Sequence, residues 1–163
     1  MVSTLEPRKG HAEVLDAFER LWSQDINVRC VFVGREGWKV RELTRRIRQH
    51  KEWGQRLIWL DRVSDEELTS IYKETRAVIV ASKAEGFGLS VVEALFHQKA
   101  LVLRDIPVFR EIAGNGAFYF TGADAEVLSK AMLDALRNHV IPQKIRPLTW
   151  AESFDQFFKI VKG

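Results

Sequence analysis

The chain has a single cysteine, Cys30, among 163 residues, so no disulfide can form within it. Cys30 lies in an apolar run at 28–33, where a thiol acts as a small buried hydrophobe. No apolar run approaches the roughly 20 residues that cross a bilayer. Residues 1–10 lack the apolar core of a signal peptide, so a cytoplasmic protein is expected. Low-complexity stretches are missing too. A hydrophobic share of 46% with 29% charged residues is that of an ordered globular chain, which excludes disorder. No Asp-x-Asp pair occurs, and no histidines or cysteines cluster at metal-ligand spacing, so no metal is expected. Charge is nearly balanced, with 25 Lys and Arg against 22 Asp and Glu.

What basic excess exists is local. Arg35, Lys39, Arg41, Arg45, Arg46, Arg48, Lys51 and Arg56 accompany Trp38 and Trp53. Val40, Leu43 and Ile47 recur there at helical spacing and predict an amphipathic helix whose arginines point outward. A solvated helix face is the default reading of such a pattern, with peripheral contact at an anionic membrane surface, on its inner face, as the next. No nucleic-acid motif is present, and nucleic acid is not an expected partner.

At this length one domain, 1–163, is expected, with a substantial core. Apolar runs of strand length recur at 28–33, 57–60, 77–81, 100–103 and 117–120, separated by segments of helical periodicity. That alternation predicts a doubly wound α/β fold: a mostly parallel sheet with helices on both faces. Val14, Leu15, Phe18 and Leu21 mark a first helix over 10–22. Ser64 caps another that carries Leu68, Ile71 and Tyr72. Pro142 and Pro147 frame a connector, and 149–161 reads as a final amphipathic helix with Phe154, Phe157, Phe158 and Val161.

The most informative stretch is 84–95. It joins the apolar run 77–81 to a helical run beginning near Leu89, through a hinge that carries Glu85, Gly86 and Gly88. Glycines let the backbone turn sharply and a ligand come close. The first amides of the following helix have no partners within it and attract phosphate. Glu85 and Glu93 add acceptors for hydroxyls on either side. Phosphate plus polyol describes a nucleotide sugar. A plainer reading stays open for Glu93: Ser90-Val91-Val92-Glu93 has the form of a capping box, like Ser64-Asp65-Glu66-Glu67 and Thr149-Trp150-Ala151-Glu152.

Glu85-Gly86-Phe87-Gly88-Leu89-Ser90-Val91-Val92-Glu93 resembles the signature of the family-4 retaining glycosyltransferases, which have the GT-B fold. Leu5-Glu6-Pro7-Arg8-Lys9-Gly10, Val31-Phe32-Val33-Gly34, Arg62-Val63-Ser64-Asp65-Glu66-Glu67-Leu68, Asp105-Ile106-Pro107-Val108-Phe109-Arg110-Glu111 and Thr149-Trp150 resemble that family's successive blocks, in order. The resemblance covers nearly the whole chain, but only the C-terminal, donor-binding half of a complete enzyme. It implies that Lys9 holds the donor diphosphate, that Glu85 contacts the donor sugar and Glu93 the ribose, and that amides of Gly86, Phe87, Gly88, Leu89 and Ser90 line sugar and phosphate. Gly34 and Val63 would lie by the base. Thr4 stands where the family has a second phosphate-binding arginine, and Arg8 offers a partial substitute. No metal or other cofactor is implied, because Lys9 and helix amides would do the work of an ion.

The partners implied are a nucleotide diphosphate sugar and an N-terminal acceptor-binding domain, supplied in cis or in trans; the chain alone is expected to be inactive. Core packing is the simpler reading of the final aromatic helix, with a face exposed towards that other domain as the alternative. The block at 105–111 leans towards mannosyltransferases that use GDP-mannose in surface polysaccharide assembly. Two alternatives are weighed beside this: a noncatalytic nucleotide-binding or scaffolding module, favoured by Thr4, and a glycosidase using Glu85 and Glu93 as its acid and base. The last requires the two carboxyls to face one another across roughly 5 to 9.5 Å.

Overall fold

The structure, a computed structural model, describes residues 1–138 and 150–162. Along them α1 (His11–Ser23), β1 (Cys30–Val33), α2 (Arg41–Arg48), β2 (Leu57–Leu60), α3 (Asp65–Glu74), β3 (Ala77–Val80), α4 (Leu89–Phe96), β4 (Ala100–Arg104), α5 (Pro107–Ala113), β5 (Phe118–Phe120), α6 (Ala125–Asn138) and α7 (Trp150–Lys162) follow in turn. The five apolar runs are the five strands among the described residues, with ends that differ by up to two residues from the expected ones. All three strand pairings are parallel, as connections through a helix require.

Side chains alternate across β3 and β4 and fill two cores. Ile79 and Val102 point to the layer built by Val14, Leu15, Phe18 and Leu21 of α1 with Leu128, Ala131 and Met132 of α6. Val78, Val80, Leu101 and Leu103 point the other way, onto Val91, Ala94 and Leu95 of α4 and Phe109 of α5. All five positions of β4 are buried, which is why its sequence is a continuous apolar run rather than an alternating one. The expected parallel α/β architecture with helices on both faces is therefore the observed one.

The sheet departs from expectation by forming two ladders, β1-β2 and β3-β4-β5. The segment 1–5 runs between them. It follows β1, since Val33 N–H donates to the Met1 carbonyl and Ser3 N–H to the Val33 carbonyl, each at 2.9–3.0 Å. Val2 packs into the second core, and its carbonyl accepts a hydrogen bond from Ser90 Oγ of α4 at 3.0 Å. Beside Met1 a cavity of about 550 Å³ opens between Arg29 and Val31 on one flank and Arg76, Ala77 and Ile79 on the other.

Two local expectations are corrected. The arginines of α2 do not all face solvent, because Arg46 bridges Asp16 and Glu19 of α1 at 2.6 and 2.7 Å and Arg48 lies over the Trp59 ring. In α7, Phe154, Phe157 and Phe158 are exposed rather than packed in the core, and they contact one another. The connector with Pro142 and Pro147, and the proposed cap at Thr149, lie outside the described residues. Cys30 is buried as expected, and burial pushes its thiol up to about 12, which leaves it unreactive. Among the described residues no helix is long and apolar enough to cross a membrane.

Candidate functional site

Two helices begin bare at the C-terminal end of the strands, where open α/β sheets place their ligands. The N-caps of α1 and α4 are Gly10 and Gly88, and neither helix start has a side-chain cap. Val91 and Val92 N–H close back on the Gly88 carbonyl, which leaves the amides of Leu89 and Ser90 without partners inside the helix. Gly88 holds φ +80, and a Cβ there would stand 3.0 Å from the Phe109 ring. Both facts require glycine. Gly86 is different: its φ is ordinary, and a Cβ would meet nothing within 4 Å. The turn does not need Gly86; its missing side chain keeps space open above the hinge. The hinge itself is open, with Phe87 and Leu89 exposed.

The hinge is zipped to the short 3-10 turn at Pro7–Lys9 that precedes α1. Lys83 N–H donates to the Arg8 carbonyl at 2.8 Å, and Arg8 Nη1 reaches the Ala84 carbonyl at 3.3 Å. Lys9 Nζ then donates to Glu85 Oε1 at 2.5 Å, and Arg8 Nη1 stands 3.6 Å from Glu85 Oε2. Two positions 76 residues apart thus form a nearly closed ion pair, with Lys9 and Glu85 each about one-seventh exposed. Partial burial works against the charge on Glu85, but the Lys9 hydrogen bond and the charges of Lys9 and Arg8 outweigh it and hold the carboxyl below its ordinary range. The fully buried Ser82 hydroxyl lies beside Glu85 and completes no hydrogen bond of standard geometry.

Glu93 sits one turn further into α4. It does not close a capping box: Ser90 Oγ is spent on Val2, and Glu93 Oε2 accepts from Tyr72 Oη of α3 at 2.9 Å. The plainer reading of that spacing is overturned, whereas at Ser64 and Glu67 the reciprocal capping bonds do form. Glu85 and Glu93 are held by different partners, one by cations and one by a phenol.

Gly34 closes β1, with its N–H on the Leu60 carbonyl and its carbonyl accepting from Trp59 Nε1. A Cβ on Gly34 would collide with the Ser3 carbonyl, so close backbone approach accounts for this glycine. Val63 is half-buried in the turn before α3 and takes no part in either cluster, and Arg62 beside it is exposed. Among the described residues no group of acidic, histidine or cysteine side chains could hold a metal ion. Sequence reasoning missed Tyr72, read only as a core residue, and Arg104. The Arg104 guanidinium is buried, donates to the Ala81 and Gly122 carbonyls and pairs with Glu13 of α1, which Lys83 also contacts at 2.9 Å. An arginine ending an apolar strand was the available signal, since a buried guanidinium needs partners on neighbouring elements.

The fold is parallel α/β with two bare helix starts, at Gly10 and Gly88, and comparison with known proteins gives its family. Residues 1–147 match the glycosyl transferases group 1 family, and the chain belongs to that family. It is 42% identical over 98% of its length to the serotype-specific mannosyltransferase WbdA of Escherichia coli, of which it spans 20%. To the O-antigen chain mannosyltransferase RfbU of Salmonella typhimurium it is 28% identical over 74% of its length, covering 32% of that protein. The catalytic domain of starch synthase IV from Arabidopsis thaliana, bound to ADP and acarbose, shares its fold with TM-score 0.77 at 17% identity, over 99% of this chain and 37% of that one. The chain thus spans between 20% and 36% of the length of the curated relatives it matches.

Proposed function

We propose that the chain is the donor-binding domain of a retaining mannosyltransferase that moves mannose from GDP-mannose to a glycan or lipid-linked acceptor. The observation that carries this reading is the Lys9–Glu85 pair, set at an open hinge between two uncapped helix starts. A cation beside unpaired amides suits a diphosphate, and the adjoining carboxylate suits the hydroxyls of an attached sugar. The mannosyltransferase relatives support the choice of sugar.

In the reaction the bond from the anomeric carbon to the diphosphate oxygen breaks, and an acceptor hydroxyl oxygen bonds that carbon while releasing its proton. Negative charge grows on the leaving diphosphate. Lys9 and the α4 amides stabilise that charge, as donors fixed beforehand at the place where it develops. Arg8, already within reach of Glu85, supplies part of what Thr4 lacks. No metal ion has a role in this scheme. Acceptor binding falls to a second domain, which the exposed aromatics of α7 suit as a contact face. Arg35, Lys39, Arg41, Arg45 and Lys51, with exposed Trp38 and Trp53, suit an anionic membrane surface.

Titration calorimetry of the 163-residue chain with GDP, UDP and ADP tests the reading. GDP should bind most tightly, and Lys9→Ala and Glu93→Ala should each weaken it about tenfold or more. A chain silent to all three nucleotides supports a scaffold that kept the fold, and unaltered affinity in both variants removes the site assignment.

A further inference from the structure

Glu93 is anchored by a residue on another helix. Tyr72 lies in the last turn of α3, is 2% exposed, and stacks its ring on His97 with centroids 4.7 Å apart and planes 10° from parallel. From that fixed position its hydroxyl donates to Oε2 of Glu93. The choice of donor matters. Glu85 is gripped by Lys9 and Arg8, which neutralise it, whereas no cation pairs with Glu93 among the described residues. A phenol restrains one carboxylate oxygen without cancelling the charge. Oε1 accepts no hydrogen bond from the described residues, and Glu93 remains half-buried at the helix edge. Burial and the neighbouring carboxylate both disfavour ionisation of Tyr72, so it stays a donor at any working pH. The product is a charged acceptor, fixed in direction, with one oxygen unused.

We infer that Tyr72 is a positioning residue that aims Glu93 at the ribose hydroxyls of the donor nucleotide and so sets the preference for ribose over sugars lacking those hydroxyls. This rests on the donor-binding reading of the site. A tyrosine serving only to join α3 to α4 would stabilise the fold without distinguishing one nucleotide from another. A tyrosine that aims Glu93 must change that distinction, because an ionised carboxylate recognises a hydroxyl only along a limited set of directions.

The experiment measures binding of GDP and of 2′,3′-dideoxy-GDP to the wild-type chain, Tyr72→Phe and Glu93→Gln, with melting curves for each. Phenylalanine keeps the ring and its stack on His97, so the variant should fold. The wild-type chain should prefer GDP by about tenfold or more. Glu93→Gln should remove that preference, and Tyr72→Phe should remove most of it while leaving the affinity for dideoxy-GDP unchanged. If Glu93→Gln removes the preference but Tyr72→Phe keeps it, or weakens both ligands equally, the role of Tyr72 is overturned and the site assignment stands. If wild type prefers GDP but Glu93→Gln retains the preference, the ribose assignment of Glu93 fails and this inference with it; if wild type ignores GDP, the donor-binding reading itself fails.

Discussion

The residue proposed to hold the diphosphate and the residue proposed to hold the sugar grip each other. Lys9 and Glu85 meet at 2.5 Å, so an incoming diphosphate must compete with an internal carboxylate for the same ammonium. Removing the negative charge should therefore favour a bare nucleotide. Glu85→Gln is expected to raise affinity for GDP by about threefold to tenfold, an electrostatic gain of the size expected for a partly exposed pair. The same variant, joined to its acceptor-binding partner, should lose sugar transfer. Calorimetry and a transfer assay separate the two effects, and GDP affinity lowered by the substitution would show that Glu85 does not compete for Lys9. The pair also has a pH signature. Because the folded carboxyl titrates below its unfolded counterpart, its stabilising contribution is present above the unfolded value, about 4.3. It is lost as pH falls through the lower folded value. At this scale the sequence disclosed the residue types but not their pairing. Glu85 and Lys9 could be named from their neighbours, whereas contact across 76 positions depends on how the turn at Pro7–Lys9 docks on the hinge. Tyr72 was hidden for the opposite reason, since a buried aromatic at helical spacing looks the same whether or not its hydroxyl is used.

At the scale of the element, the hinge before α4 tests which glycine serves the fold and which serves the ligand. Both were legible as turn residues, and nothing in the spacing ranks them. The structure does so through backbone geometry: Gly88 is left-handed and pressed against Phe109, while Gly86 borders empty space. Gly88→Ala should cost about 1–2 kcal/mol from the left-handed strain alone, with further loss from the ring contact. Gly86→Ala should leave stability within about 0.5 kcal/mol of wild type, as expected where no contact or strain is introduced. If Gly86 keeps room for the donor sugar, its alanine variant should weaken GDP-mannose more than GDP. Urea titrations with the two ligands measure all three quantities, and equal destabilisation by both substitutions would contradict the geometry. The strands and helices were easier to foresee than the hinge, because two-sided burial writes an uninterrupted apolar run for β4 and helical spacing marks α1 and α6. The misjudged elements are those whose surroundings decide: α2, where Arg46 turns back onto α1, and α7, whose aromatic stripe looked like a core face.

At the scale of the whole molecule, what could not be foreseen is that the sheet is divided. Local patterns specify strands, but whether neighbouring strands meet depends on what fills the space between them. Here segment 1–5 bonds to the upper part of β1, and beside Met1 the flanks of β1 and β3 stand apart around a cavity of about 550 Å³. Met1 lies at its head, where its nitrogen donates to the Val31 carbonyl at 2.9 Å. In a parallel ladder a residue offers N–H and C=O to the same neighbour, so the Val31 N–H, like its carbonyl, faces this space. Four β-branched apolar residues placed ahead of Met1 should pair Val31 N–H and lay side chains against Ile79 and Val102, which line the cavity. Burying two such side chains is worth about 3–5 kcal/mol before the cost of ordering the added backbone. The net expectation is a melting temperature higher by about 3–8 °C for a domain of this size. A Gly-Ser extension of the same length offers nothing to bury, so it should give less than half the gain. Slower amide exchange at Val31 in the apolar variant alone would show that the added residues enter the ladder. Identical melting of the two extensions would mean that the cavity does not accept a strand and that the division of the sheet is intrinsic to the packing of β1 against β3.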